Sequence, residues 1–320
     1  MVESFIKAFQ SRILLFDGAM GTEIQKLNPT AEDFPDKKSG FNDGLNLTRP
    51  NWIKQIHRNY LKAGADAIET NTFGSNWFKL QEYGYAGKTV ELNKAAALLA
   101  REVCTEFADK PKYVVGSMGP SGYLPSSNDS DLGQKSLEEI RTAFSLQAEG
   151  LLLGQVDSLL IETSQDILEV KLAIEACHDA IQKVGNRVAI IANVTLDQYG
   201  KMLLGTSVQA AYTTVSDMDI DAFGINCSTG PVEMTASIRW LNDQDELPLL
   251  VMPNAGMPQN VGGKAVYAMK PNVMAEKLKD FIENYKRVHM IGGCCGTNPE
   301  HIVELRKILD NSKSLVSNYS

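Results

Sequence analysis

A (β/α)8 barrel is the fold this sequence predicts, on three observations. Eight short apolar or β-branched runs recur along the 320 residues, at 13–16, 67–70, 113–116, 158–161, 188–192, 222–225, 249–252 and 288–291. Longer segments with helical spacing separate them. Most of the runs are continuously apolar, as parallel strands covered on both faces are. Eight strand–helix pairs in this length fit one α/β barrel, a single domain over 1–320 with its core at about 13–309. A doubly wound open sheet is the alternative, weakened because no GxGxxG follows the first run.

The elements follow in order. Residues 1–12 read as a short amphipathic helix without the apolar centre of a signal peptide. The first strand runs into Asp17. The stretch 26–49, rich in Pro, Asp, Asn and Gly, reads as a long loop on the face where such barrels place active sites. Pro50 opens a helix at 51–63 that Gly64 closes. Thr89 is placed to cap 90–108. Ser136 and Glu139 have capping-box spacing before 140–152. Ser164 is placed to cap 165–184, which ends at Gly185. The fifth helix, 208–217, is short, and Pro231, Pro271 and Pro299 open the last three. The polar tail 311–320 is expected to fray.

Composition narrows the function. With 43% hydrophobic and 22% charged residues the chain is ordinary globular protein. A net charge of -8 argues against a nucleic-acid partner. No apolar run approaches the roughly 20 residues that span a membrane. Five cysteines without a secretory signal point to a reducing cytoplasm, with cysteine as ligand or core filler.

In a barrel the carboxyl ends of the strands converge on one mouth. Here those ends carry Asp17, Glu162, Cys227, Asn254 and the run Gly292-Gly293-Cys294-Cys295. Adjacent cysteines make a strained disulfide, but on a bent backbone both can face one metal ion. Zinc wants a third protein ligand, and Cys227 lies two strands away in space. Cys104 and Cys177 fall in helical apolar patterns and read as core. His57, His178, His289 and His301 form no cluster, and none is expected to bind metal. The segment Gly18 to Gly21 lacks a Walker lysine, so a polar small molecule suits it better than phosphate. Asp17 could tie down a turn. Glu162 ends an apolar strand, where an unpaired carboxylate is costly, so a ligand role is favoured.

Three thiolates outweigh the +2 charge of zinc. Such a site is poor at activating water and good at holding a fourth thiol as a nucleophilic thiolate. The chemistry implied is attack of a bound substrate thiolate on an electrophilic carbon. Asp17 and Glu162 suit an ammonium near the metal, so a thiol-bearing amino acid fits.

Several motifs together resemble the homocysteine S-methyltransferase family. They are Asp17-Gly18-Ala19-Met20-Gly21-Thr22, Glu69-Thr70-Asn71-Thr72-Phe73-Gly74, Glu162-Thr163, Gly224-Ile225-Asn226-Cys227-Ser228 and Gly292-Gly293-Cys294-Cys295-Gly296-Thr297. Within that family, 41–50, 200–206 and Pro253-Asn254-Ala255-Gly256 look closest to the N-terminal homocysteine module of cobalamin-dependent methionine synthase. The resemblance implies a zinc-bearing barrel that binds L-homocysteine by its thiol and passes a methyl group to it, giving L-methionine. Cys227, Cys294 and Cys295 match the zinc ligands. Asp17 and Glu162 match the acids that hold the amino group, with backbone near Ala19 and Met20 contributing. Asn254 matches a residue that occupies the metal when substrate is absent. The donor implied is methylcobalamin on a separate module, replenished from 5-methyltetrahydrofolate, so cobalamin-binding and folate-binding modules are expected partners, fused or separate. A stand-alone methyltransferase using S-methylmethionine or S-adenosylmethionine is a second reading. A zinc- or thiol-binding module without catalysis is a third.

Overall fold

The computed structural model describes residues 3–107, 109–244, 246–262 and 264–312. Helix α1 (Phe5–Ser11), whose first turn is capped by Ser4, precedes the first strand, β1 (Leu14–Leu15). Then come α2 (Met20–Lys26), α3 (Leu45–Thr48), α4 (Pro50–Lys62), β2 (Ala67–Glu69), α5 (Trp77–Glu82) and α6 (Thr89–Thr105). The middle of the chain is β3 (Tyr113–Met118), α7 (Leu137–Leu153), β4 (Ser158–Ser164), α8 (Ile167–Val184), β5 (Ala189–Val194) and α9 (Val208–Val215). It ends with β6 (Ala222–Asn226), α10 (Pro231–Asn242), β7 (Leu249–Met252), the hairpin β8 (Gln259–Val261) and β9 (Lys264–Val266), α11 (Pro271–Asn284), β10 (Val288–Ile291) and α12 (Pro299–Asn311).

Eight parallel strands pair in the order β1-β10-β7-β6-β5-β4-β3-β2. A bridge between Phe16 and Ala67 joins β1 to β2 and closes the ring. Asp66 secures that seam: its N–H donates to the Leu15 carbonyl at 2.6 Å, and its Oδ2 accepts the Leu15 N–H at 3.0 Å. All eight predicted strands are present, and the (β/α)8 barrel is the fold.

Strand alternation sends every second side chain inward. Leu14, Phe16, Val115, Leu160, Ile191, Leu250, Met252 and Met290 fill the barrel. Helix α1 seals its floor, with Phe5 edge-on to Phe9, Phe16 and Tyr113 at ring separations of 5.4, 6.3 and 5.3 Å. The outward residues pack against the helices in a second, larger core. No helix among the described residues is long and apolar enough to cross a membrane.

Several local expectations change. Ser164 remains in β4, and Asp166 caps α8 by accepting the Leu168 N–H. Thr89 is the first residue of α6 and not its cap; its hydroxyl donates to the Ala86 carbonyl. The stretch 26–49 is not a plain loop. It winds through three 3-10 turns and α3, because Asp33, Asn46 and Thr48 satisfy its backbone locally. Helices α2 and α5 and the β8–β9 hairpin were not foreseen. The Ser136–Glu139 capping box and the stop at Gly185 are as predicted, and Gly185 makes that stop in left-handed backbone. Of the expected fraying tail, 313–320 lie outside the described residues.

Candidate active site

The sheet's hydrogen bonds continue past the last strand residues and carry the cysteines into the mouth. Cys227 N–H donates to the Met252 carbonyl at 3.2 Å, Cys294 N–H to Pro253 at 2.9 Å, and Gly293 N–H to Asp17 at 3.1 Å. Cys227 and Ser228 then adopt left-handed backbone, φ 61° and 59°. Such angles cost about 1–3 kcal/mol per non-glycine residue and persist where surrounding structure enforces them. Gly296 bends the other strand end at φ 79°, and a Cβ there would lie 2.3 Å from the Tyr267 Cβ. The result is one cluster: the thiols of Cys227, Cys294 and Cys295 all lie within 4.8 Å of one another. Cys227 and Cys295 sulfurs are 3.7 Å apart.

Carboxyls face the thiols across a cavity of about 1280 Å³, whose lining includes Asp17, Ala19, Met20, Glu69, Glu162 and the three cysteines. Glu162 is buried; its Oε1 accepts from the Ser117 hydroxyl at 2.5 Å and its Oε2 from Asn226 Nδ2 at 3.0 Å. Asp17 Oδ2 accepts the Glu69 N–H at 3.1 Å. Asp17 Oδ1 and Glu69 Oε1 are buried without partners.

Burial sets the electrostatics. It pushes Asp17 well above the usual carboxylate range, against the Glu69 N–H, and the Glu162 charge adds to the rise. Glu69 rises through burial and its Glu162 and Asp17 neighbours. Glu162 is raised to about 7 by burial and by Cys295, with the Ser117 and Asn226 hydrogen bonds opposing. Among the thiols, hydrogen bonds from Cys227 and Cys294 hold Cys295 down to about 3. Cys294 is pushed well up by its hydrogen bonds to Cys227 and Cys295 and by burial. Buried acids this close to one another hold protons or receive a cation.

Two of the remaining predicted residues sit differently from the rest. Ala19 lines the cavity, but its N–H donates to Thr297 Oγ1 at 3.2 Å and its carbonyl accepts from Tyr60 at 3.1 Å. Its amide is therefore already used, whereas Met20 opens α2, where first-turn N–H groups lack helical partners. Asn254 is buried beside the cysteine loop: the next residue, Ala255, donates to the Cys295 carbonyl at 3.0 Å. Its Oδ1 has no partner.

Cys104 and Cys177 are core residues as expected, with burial pushing Cys104 up to about 12 and Cys177 higher still. None of the four histidines joins the thiols; His178, for one, pairs with the Met218 carbonyl and His301 with Met269. Glu69 and Asn226 lie within the motifs quoted above but were given no role of their own, nor were Ser117 and Tyr267. The first three were findable, since each shares the inward face of its strand two residues beyond a buried core position. Tyr267 was not, because it arrives on the unforeseen hairpin, where it lines the cavity beside Cys295.

By fold and site this is a barrel enzyme that gathers thiols and carboxyls at one mouth. The family profile described as Homocysteine S-methyltransferase matches residues 14–309. The methionine synthase of Mycobacterium tuberculosis is 40% identical over 310 residues, covering 96% of this chain and 25% of that protein. That of Mycobacterium leprae is 39% identical over 302 residues, covering 94% and 24%. The chain thus spans about a quarter of the length of these curated relatives. The homocysteine methyltransferase MmuM of Escherichia coli has TM-scores of 0.74 in its oxidized form and 0.71 in its metallated form. Identity is 23% in both, over 92% of this chain and 95% and 96% of those chains, a likeness of fold. The chain belongs to the homocysteine S-methyltransferase family, a family of methyltransferases.

Proposed function

We propose that this chain holds zinc on Cys227, Cys294 and Cys295, binds L-homocysteine there, and presents its thiolate to a methyl donor to give L-methionine. The observation that carries the reading is the convergence of three thiols within 4.8 Å, beside buried carboxyls that have no cation. The donor set fits the metal, since three cysteines leave a zinc ion one open position. Bound there, zinc would lower the pKa of the substrate thiol and keep it nucleophilic.

The chain's own residues do the rest. Asp17 and Glu162 receive the substrate ammonium, and Glu69 adds a third carboxyl to the same wall. The first-turn amides at Met20 and beyond face the substrate carboxylate, a role Ala19 serves by fixing the turn. Asn254, buried beside the cysteine loop, would offer its unpartnered amide oxygen to the metal in the absence of substrate. The likeness to methionine synthases supports methylcobalamin on a separate module as donor, replenished from 5-methyltetrahydrofolate. Cobalamin-binding and folate-binding modules are then the partners. Free, reduced thiols suit a cytoplasmic setting.

Zinc-edge X-ray absorption on the reduced, zinc-loaded protein tests the centre. Three sulfur neighbours and one light atom should become four sulfurs on adding L-homocysteine. A shell indifferent to homocysteine would sink the reading. Turnover with methylcobalamin, compared with S-methylmethionine and S-adenosylmethionine, then identifies the donor.

A further inference from the structure

We propose that Asn226 is a positioning residue that couples the substrate's ammonium site to the metal thiolates, by holding Glu162 and Cys294 on one amide nitrogen. The inference rests on the zinc and homocysteine reading above. Asn226 ends β6 and is wholly buried. Its Nδ2 lies 3.0 Å from Glu162 Oε2, 2.8 Å from Thr163 Oγ1 and 3.9 Å from Cys294 Sγ. Its Oδ1 accepts the Thr163 N–H at 2.8 Å, which settles which end of the amide is nitrogen. Thr163 is itself left-handed, φ 58°, so Asn226 also braces a strained residue directly after Glu162.

An amide nitrogen has two hydrogens, and here three acceptors surround it. The acceptors therefore compete. With the ammonium site empty, an ionised Glu162 tilts the planar amide so that one Nδ2 hydrogen points at its Oε2. When a substrate ammonium neutralises Glu162, that pull weakens and a hydrogen is released toward Cys294. Donation to a metal-bound thiolate steadies it against loss of the metal, as hydrogen bonds to ligands from outside the coordination sphere generally do. The amino group of the substrate is thereby sensed at the metal without touching it. A serine at 226 could not reach both partners. An aspartate would keep the oxygen that receives Thr163 but replace the donor with a further acceptor.

The test is the rate of zinc release into a chromogenic chelator from the intact, loaded protein. It is measured alone, with L-homocysteine, and with 4-mercaptobutanoate, which has the same thiol and carboxylate but no amino group. In the native protein L-homocysteine should slow release about tenfold more than 4-mercaptobutanoate does. In Asn226→Asp, and in Asn226→Ser should the aspartate variant fold poorly, the two thiols should become equivalent. An amino-group effect that survives in a folded, zinc-loaded Asn226 variant overturns the proposal. So does equal protection by both thiols in the native protein, and in that case the zinc reading stands, because both thiols still protect. If neither thiol alters release, or no zinc loads, the zinc reading fails and this inference fails with it.

Discussion

The backbone N–H of Glu69 donates to Oδ2 of Asp17 at 3.1 Å, so the ends of β2 and β1 set two carboxyls against each other. Each is left with a buried, unpartnered oxygen. Two like acids in that position hold a proton or take a cation between them. Glu69→Gln should therefore weaken L-homocysteine binding by about tenfold, as loss of a buried charge-assisted hydrogen bond does. Glu162→Gln should do the same, and neither should lower zinc content. Titration calorimetry beside metal analysis checks this, and equal loss of metal would place these acids in support of the centre instead.

Removing one thiol leaves two, too few to hold zinc firmly. Cys227→Ser, Cys294→Ser and Cys295→Ser should each lose zinc while the barrel keeps its circular dichroism. Cys104→Ser and Cys177→Ser should keep zinc and lose stability, since both thiols are buried in the core. A zinc content unchanged in the first set would remove those residues from the ligand list.

A pH dependence follows from Glu169, whose carboxyl burial raises to about 7, against the opposing hydrogen bonds of the Ser121 hydroxyl and N–H. The folded state holds this proton more tightly than the unfolded chain. Its stability contribution is complete below the ordinary carboxylate pKa and is lost as pH rises through 7. Melting temperature should fall from about pH 5 to about pH 8 more steeply in the native protein than in Glu169→Gln, with a linkage ceiling of about 3 kcal/mol. Parallel curves for the two proteins would show that the carboxyl is ionised throughout.

Gly296 holds φ 79° with Tyr267 pressed against it. Gly296→Ala should cost about 1–3 kcal/mol in urea unfolding, from the backbone angle and the collision together. It should also displace the loop that carries Cys294 and Cys295, seen as faster zinc release. Unchanged release would mean that the hairpin yields and the cysteines do not.

The barrel was legible because buried parallel strands leave continuous apolar runs, and several helices bring their own proline, capping box or closing glycine, as at Pro50, Ser136, Gly185, Pro231, Pro271 and Pro299. The thiol cluster was legible for a related reason: strand ends converge, so Cys227 and Cys294 meet despite their separation in sequence. Less visible were features that depend on how local contacts resolve. Ser164 looks like a cap until β4 extends through it and Asp166 takes the role. The hairpin 259–266 has exposed strand residues and no apolar pattern to betray it. Asn226 is an ordinary asparagine in sequence. Its importance comes from three acceptors supplied by β4 and the loop after β10, which only the closed ring brings within its reach.

Helix α1 stops the lower end of the barrel with Phe5 and Phe9, and apolar side chains fill the bore above it. The reaction chamber is therefore a well with one doorway. Whatever binds at the mouth enters and leaves on the side that carries the strand-end loops, so the floor leaves that rim as the face a methyl donor would have to approach.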